Sequence, residues 1–187
     1  MTAALNFEAL YRRDPDPWGY ATSAYERDKY AATLDACGQG PFARALELGG
    51  SIGVFSELLA PRCRELTTVD AAPTAVEQAR RRLSGRPGVK VTLGEIPSAI
   101  PAASYDLIVA SEVLYYMQPG QLAETLTALK RDLAPGGRVV AVHWRHPGPE
   151  RPLTAAQVHR QLRRQAWLRA SRRRDTADYL LDVLERA

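Results

Sequence analysis

The chain has 187 residues, 45% of them hydrophobic and 25% charged, with a formal net charge of +4. This composition excludes a disordered chain, and the length suits one ordinary hydrophobic core rather than two. The two cysteines, Cys37 and Cys63, stand in neither C-x-x-C nor metal-ligand spacing, which excludes a disulfide framework and argues against a bound metal.

The leading residues, Met1 to Glu8, have no charged n-region and no continuous apolar segment, and no later run approaches the roughly 18 apolar residues of a membrane span. A cytoplasmic protein without a membrane partner is expected. From Phe7 to Cys37 helical pieces are broken at Asp14-Pro15-Asp16-Pro17-Trp18-Gly19, because each proline fixes its own φ and disfavours helix in the residue before it. The second helix opens near Ser23, where Ser23-Ala24-Tyr25-Glu26 has the spacing of a capping box, and it carries Tyr30, Leu34 and Cys37 on one face. Gly38-Gln39-Gly40-Pro41 ends it.

Strands and helices then alternate. Residues 42–48 read as a strand, running into the glycine-rich turn Gly49-Gly50-Ser51-Ile52-Gly53 and a helix over 54–60. A second strand over 65–69 ends at Asp70, a helix follows over 74–83, and 89–93 form a third strand. Residues 105–110 are apolar enough for a strand buried on both faces. A helix over 121–133 and a strand over 138–144 complete the alternation. Thr154 can cap a helix reaching about Trp167, and two last strands, 168–173 and 179–184, are joined so briefly that they must pair antiparallel. The pattern predicts an α/β fold: a three-layer sandwich around a seven-stranded, mostly parallel sheet with an antiparallel C-terminal hairpin and helices on both faces.

Charge is uneven. Residues 151–187 hold nine arginines against four acids, and eight of those arginines fall before the first acid at Asp175. Such a run suits an anionic partner, or a solvated helix face followed by a charge-studded edge strand. The turn at Gly49–Gly53 has its own chemistry. Glycine has no Cβ, so backbone N–H groups there can approach a ligand closely. An acid about 20 residues further on, here Asp70, has the spacing that places a carboxylate on ribose hydroxyls, although the same acid could cap the helix beginning near Thr74.

Taken together these residues resemble the class I S-adenosylmethionine-dependent methyltransferases, whose fold is Rossmann-like. The resemblance spans nearly the whole chain: the glycine turn, Asp70, Gly94-Glu95-Ile96 after strand three, Tyr105-Asp106-Leu107-Ile108-Val109, Leu133-Ala134-Pro135-Gly136-Gly137 before strand five, and the closing hairpin. It departs where Ser51 replaces the middle glycine of the family's commonest turn, which implies a more restricted loop. A closer likeness is to the nodulation-type (NodS-like) N-methyltransferases, which methylate the free amine of a deacetylated aminosugar oligomer. It is carried by Asp14-Pro15-Asp16-Pro17-Trp18, Ser23-x-Tyr25-Glu26, Gly50-Ser51-Ile52-Gly53, Ser111-Glu112-Val113-Leu114-Tyr115-Tyr116 and Val142-His143-Trp144-Arg145. The resemblance implies one methyltransferase domain over residues 1–187, with residues 1–40 as a helical lid and 41–187 as the cofactor-binding α/β core.

It also implies S-adenosylmethionine as cofactor, S-adenosylhomocysteine as product, and roles for particular residues. Glu47, Gly49, Ser51 and Gly53 would surround the methionine part. Asp70 and the adjacent Ala71 would meet the ribose, and Glu95 and Ile96 would flank the adenine, Glu95 being equally readable as a surface acid. Ser111 and Glu112 end strand four, where the transferred methyl should point. Candidate catalytic residues are Glu112, His143 and Tyr116, with Glu112 or His143 taking a proton from an amine; His143 could equally be a core imidazole. His146 and His159 are expected at the surface. Trp18, Tyr25, Tyr115 and Arg145 would shape an acceptor pocket, with Tyr115 and Tyr116 serving as an aromatic wall or as core. The expected reaction is methylation of the amine of a small polar metabolite by a monomer or homodimer. O-methylation is the nearest alternative, and non-catalytic cofactor binding a further one. Ser-Glu-Val-Leu after strand four, in place of an Asn/Asp-Pro-Pro-Tyr signature, argues against a nucleic-acid acceptor.

Overall fold

The computed structural model describes residues 5–146 and 148–187, so the reading of Met1 to Ala4 lies outside the described residues. Seven strands form one sheet in the order β3-β2-β1-β4-β5-β7-β6. β1 (Phe42–Leu48), β2 (Cys63–Asp70), β3 (Val89–Leu93), β4 (Tyr105–Ser111) and β5 (Leu133–Trp144) run parallel, while β7 (Tyr179–Arg186) pairs antiparallel with both β5 and β6 (Leu168–Asp175). This is the sheet of the class I methyltransferase fold.

Helices cover both faces, which is why the central strands are apolar on both sides. On β4, Leu107 and Val109 pack into a cluster with Phe55 and Leu59 of α3 (Val54–Leu59) and with Tyr30 and Cys37 of α2 (Ala24–Cys37). Ile108 and Ala110 point the other way, to Leu126 and Leu129 of α5 (Pro119–Asp132) and to Val158 and Leu162 of α6 (Ala155–Arg163). The period-2 alternation of a strand makes every second residue serve a different core.

Several boundaries differ from the sequence reading. β5 begins at Leu133 because the Pro135-Gly136-Gly137 stretch stays in the sheet through a register shift opposite Tyr105 and Leu107. A Cβ on Gly137 would lie 2.9–3.1 Å from the carbonyl oxygens of Ala134, Tyr105 and Asp106, so only glycine fits. α6 ends at Arg163, four residues short of Trp167, but its start is secured by a complete capping box between Thr154 and Gln157. The box expected at Ser23 is half formed. Ser23 accepts the Glu26 N–H at 3.4 Å, whereas the Glu26 carboxylate turns to Lys29.

β6 is the exposed edge strand. Three of its four arginines find carboxylates within the chain, Arg169 with Glu185, Arg172 with Asp35 and Arg173 with Asp175, and Arg174 lies over the Tyr179 ring. Among the described residues no helix is long and apolar enough to cross a membrane. Two helices precede the sheet, α1 (Phe7–Arg13) and α2, and α1 docks on α4 (Pro73–Arg82). The docking is specific: α4 has no side-chain cap of its own, and Glu8 accepts from the Thr74 N–H at 2.9 Å and the Thr74 hydroxyl at 2.8 Å.

Candidate functional site

β1 pairs with β2 on one side and β4 on the other, so the chain leaves the middle of the sheet in opposite directions and opens a crevice at the carboxyl ends of those strands. A cavity of about 290 Å³ lies there, under the N-terminal helices. Glu47, Gly49, Ser51, Asp70 and Ala71 line it from β1 and β2, Glu95 and Ile96 from the loop after β3, and Ser111, Glu112 and Tyr116 from the end of β4. Phe7, Tyr11, Trp18, Tyr20 and Tyr30 line it from the N-terminal segment.

The first wall is built from backbone. Gly49 and Gly53 have φ of +72° and +80°, and a Cβ on Gly49 would come within 2.8 Å of Val113. Ser51 also takes a left-handed φ of +51°, at a cost of ~1–2 kcal/mol for a residue with a Cβ. Two contacts hold it. Its N–H donates to Asp70 Oδ2 at 2.8 Å, and its hydroxyl bonds the Tyr11 hydroxyl of α1. The irregular serine therefore ties the turn to the helix above it. Asp70 also accepts the Ala72 N–H at 3.0 Å, and with Glu8 on Thr74 it is not the cap of α4. Burial raises its carboxyl above the ordinary range against these hydrogen bonds. Glu47 is 2% exposed and takes the Ser56 hydroxyl; burial pushes its carboxyl up to about 7.

The second wall is built from side chains distant in sequence. Glu112 sits at φ +57°, a strained conformation of the kind found at functional sites. Three donors converge on it: Lys29 Nζ on Oε1 at 2.8 Å, and the Tyr115 hydroxyl and the Trp144 N–H, the latter at 3.0 Å, on Oε2. Lys29 is itself buried, with a second carboxylate, Glu26, at 2.9 Å. Two acids thus share one lysine beside the cavity. Burial holds the phenols of Tyr11 and Tyr30 above their ordinary range, hence neutral. The aromatic rings pack edge to face, Phe7 on Tyr116 at 4.9 Å and Tyr11 on Trp18 at 5.6 Å.

Five expected site residues do not line the cavity. Gly53 is the N-cap of α3. Tyr115 acts through Glu112, and Tyr25 lies under Lys29 at 5.2 Å with its buried hydroxyl unpartnered. Arg145 is exposed and bonds Asp175 and the Thr176 carbonyl. His143 is wholly buried, and burial drives its imidazole well below its ordinary range. Its Nε2 accepts the Leu114 N–H at 3.2 Å and its Nδ1 lies 3.1 Å from His159 Nε2, so it has no free lone pair for a substrate proton. His159, expected at the surface, is also wholly buried.

Sequence reasoning missed Lys29, Tyr11 and Arg151. The Glu26–Lys29 spacing of three was a visible signal for a helical ion pair. Tyr11 and Arg151 left none: the first depends on how α1 docks, and Arg151 stacks over Tyr115, Tyr116 and Trp144 at 4.5, 5.6 and 5.0 Å only because the loop after β5 folds back.

The family model of nodulation protein S (NodS) matches residues 6–145. The nodulation protein S of Rhizobium tropici is 38% identical over 141 residues, covering 72% of this chain and 58% of that protein. That of Bradyrhizobium diazoefficiens is 40% identical over 121 residues, 63% of this chain and again 58% of the relative, so the chain spans a little over half of these relatives' length. Among solved structures, the N-methyltransferase NodS of Bradyrhizobium japonicum WM9 in complex with S-adenosyl-l-homocysteine superposes with a TM-score of 0.85 at 27% identity, covering 96% of this chain and 97% of that one. With the glycine turn, Asp70 and Glu112 gathered on one cavity and the family model matched across it, this chain belongs to the nodulation protein S family.

Proposed function

We propose that the protein is an S-adenosylmethionine-dependent methyltransferase acting on the amine of a small polar acceptor, an aminosugar being the leading class. The observation that carries this reading is the cavity's division. Buried Glu47 and half-buried Asp70 lie on one wall, and Glu112 with an aromatic lining lies on the other. Acids and aromatic faces both favour cations, which suits a ligand bearing an ammonium and a sulfonium together with an amine acceptor. The solved relative named an N-methyltransferase supports the same reading.

The residues present fit the cofactor: Gly49 and Gly50 line the cavity without side chains, and a Cβ at Gly50 would fall 1.8 Å from Thr68 Oγ1, so the turn lies flat on β2 and offers backbone to the ligand. Glu47 would meet the ammonium, Asp70 the ribose hydroxyls, and Glu95 and Ile96 the adenine. When bound, S-adenosylmethionine supplies a methyl group on a positively charged sulfur. The chain's task is to align an unprotonated nucleophile in line with that methyl and to exclude water. Glu112 orients the acceptor nitrogen. Its oxygens already accept three hydrogen bonds, so it holds and directs an amine better than it removes a proton from one. Tyr116 and Phe7 close that end of the cavity and Trp18 and Tyr11 cover it.

The test is incubation with methyl-labelled cofactor and a panel of aminosugars, simple amines, hydroxylated compounds and carboxylates. Label on amines, aminosugars above all, is the expected result; label on hydroxyl or carboxylate acceptors alone overturns the N-methyl reading.

A further inference from the structure

A buried polar chain outside the cavity remains unassigned. It runs from β5 through α6 to β7: His143 Nδ1 lies 3.1 Å from His159 Nε2, His159 Nδ1 lies 2.8 Å from Asp182 Oδ2, and Arg163 Nη1 donates to the same oxygen at 2.5 Å. His159 and Arg163 are four residues apart on α6, so both face Asp182. His143, His159 and Asp182 are all 0% exposed. Groups so buried specify one arrangement of what they hold, and here Asp182 Oδ2 takes both donors while its Oδ1 is buried without a partner.

Their free end is at the site. The single helical turn Leu114–Tyr116 follows Val113, which has no side-chain group to cap it, and Leu114 is wholly buried. The Leu114 N–H would be an orphan but for His143 Nε2. This turn carries Tyr115, whose hydroxyl donates to Glu112 and whose ring meets the His143 ring edge-on at 5.1 Å. It also carries Tyr116, which lines the cavity.

The geometry points to His143 as a positioning residue: the His159–Asp182–Arg163 chain holds it in the Nδ1–H tautomer, leaving Nε2 to accept the Leu114 N–H and so to hold Tyr115 on Glu112, the carboxylate that lines the cavity. Only one proton arrangement satisfies the chain. An acceptor at Nε2 facing Leu114 requires a proton on Nδ1, which donates to His159 Nε2; His159 then carries its proton on Nδ1 and donates it to the Asp182 carboxylate. It is the logic by which a buried aspartate sets a histidine tautomer in hydrolase triads, with a backbone N–H in place of a nucleophile. The role in turnover rests on the function proposed above; the tautomer does not.

Ring-nitrogen NMR of the 15N-histidine-labelled protein tests it directly. Both His143 and His159 should show a protonated Nδ1 and an unprotonated Nε2. A protonated Nε2 on His143 overturns the proposal, whether or not an acceptor has been found. For the positioning role, His143→Leu should lower kcat by about tenfold to a hundredfold, with affinity for S-adenosylhomocysteine within about twofold of the parent. His143→Gln, whose side-chain oxygen can accept the same N–H, should recover most of that loss. The Leu114 amide proton, protected while His143 accepts it, should exchange with solvent faster in the first variant and regain protection in the second. A His143→Leu protein with parental kcat and parental Leu114 amide protection, or a His143→Gln protein as impaired as His143→Leu, overturns it.

Discussion

The two walls of the cavity are built on different principles. On the cofactor side the contacts are short in sequence: Glu47 to Ser56 spans nine residues and Ser51 to Asp70 nineteen, and most of the groups facing inward are backbone or strand-end acids. On the acceptor side Lys29 reaches Glu112 across 83 residues, and the lining is made of aromatic side chains from α1, the turn after it and α2. A wall made of backbone tolerates little change and serves a ligand of constant shape. One made of side chains borrowed from distant elements can be re-cut residue by residue, which is how one scaffold accommodates different acceptors.

Removing Lys29 should separate the walls most sharply. In Lys29→Met the carboxylates of Glu26 and Glu112 lose their shared cation while staying buried, and such a broken pair costs about 3–5 kcal/mol. Urea unfolding should show that loss, and turnover should fall, while the folded fraction keeps its affinity for S-adenosylhomocysteine. If that affinity collapsed as well, the two walls would not be separable.

A smaller effect isolates the cofactor wall. Because burial raises the Glu47 carboxyl to about 7, the free folded protein keeps it protonated from the ordinary carboxylate range up to that pH. The cost of burying the ionised form is therefore absent at low pH and fully present above about 7. The ligand's ammonium, present in S-adenosylmethionine and S-adenosylhomocysteine alike, favours the ionised form, so binding below pH 7 must expel the proton. Affinity for S-adenosylhomocysteine, measured by calorimetry, should rise by up to about tenfold between pH 6 and 8. The Glu47→Gln protein should bind more weakly and lose that slope; a slope that survives the substitution would place its source elsewhere.

The smallest effect lies where the walls meet. Ser51→Gly relieves a left-handed serine by ~1 kcal/mol but removes its bond to Tyr11, worth about the same. Net stability should stay within about 1 kcal/mol of the parent. Tyr11→Phe, which loses only the hydrogen bond, should be destabilised by ~1 kcal/mol in the same denaturant titration. Equal stability of Tyr11→Phe and parent would show that α1 is held by Glu8 and ring packing alone.

The cofactor wall was legible in the sequence because its chemistry is local. A strand, a glycine turn and an acid nineteen residues on are a pattern that can be read along the chain, and so was the closing hairpin, since so short a connection permits no parallel pairing. The acceptor wall was legible only in part. Glu112 and Tyr116 follow β4 directly and could be placed by the strand that delivers them. Tyr25, Tyr115 and Arg145 were near the right elements but face other partners, because a helix or loop residue's direction depends on how that element docks.

His143 shows where reading along the chain fails. Its position at the carboxyl end of β5 is that of a catalytic group, yet period-2 alternation turns its ring toward His159 of α6, which in turn bonds Asp182 of β7. The sequence by itself determined the order of strands and helices, the turn that approaches the ligand, and the acid that follows it, because each depends on spacing within one or two elements. Tertiary structure alone decided which histidine is buried, which lysine holds Glu112 and which arginine covers the aromatic wall. Those contacts join residues tens of positions apart, and only the packing of both helical layers on the sheet brings them within hydrogen-bonding or stacking distance.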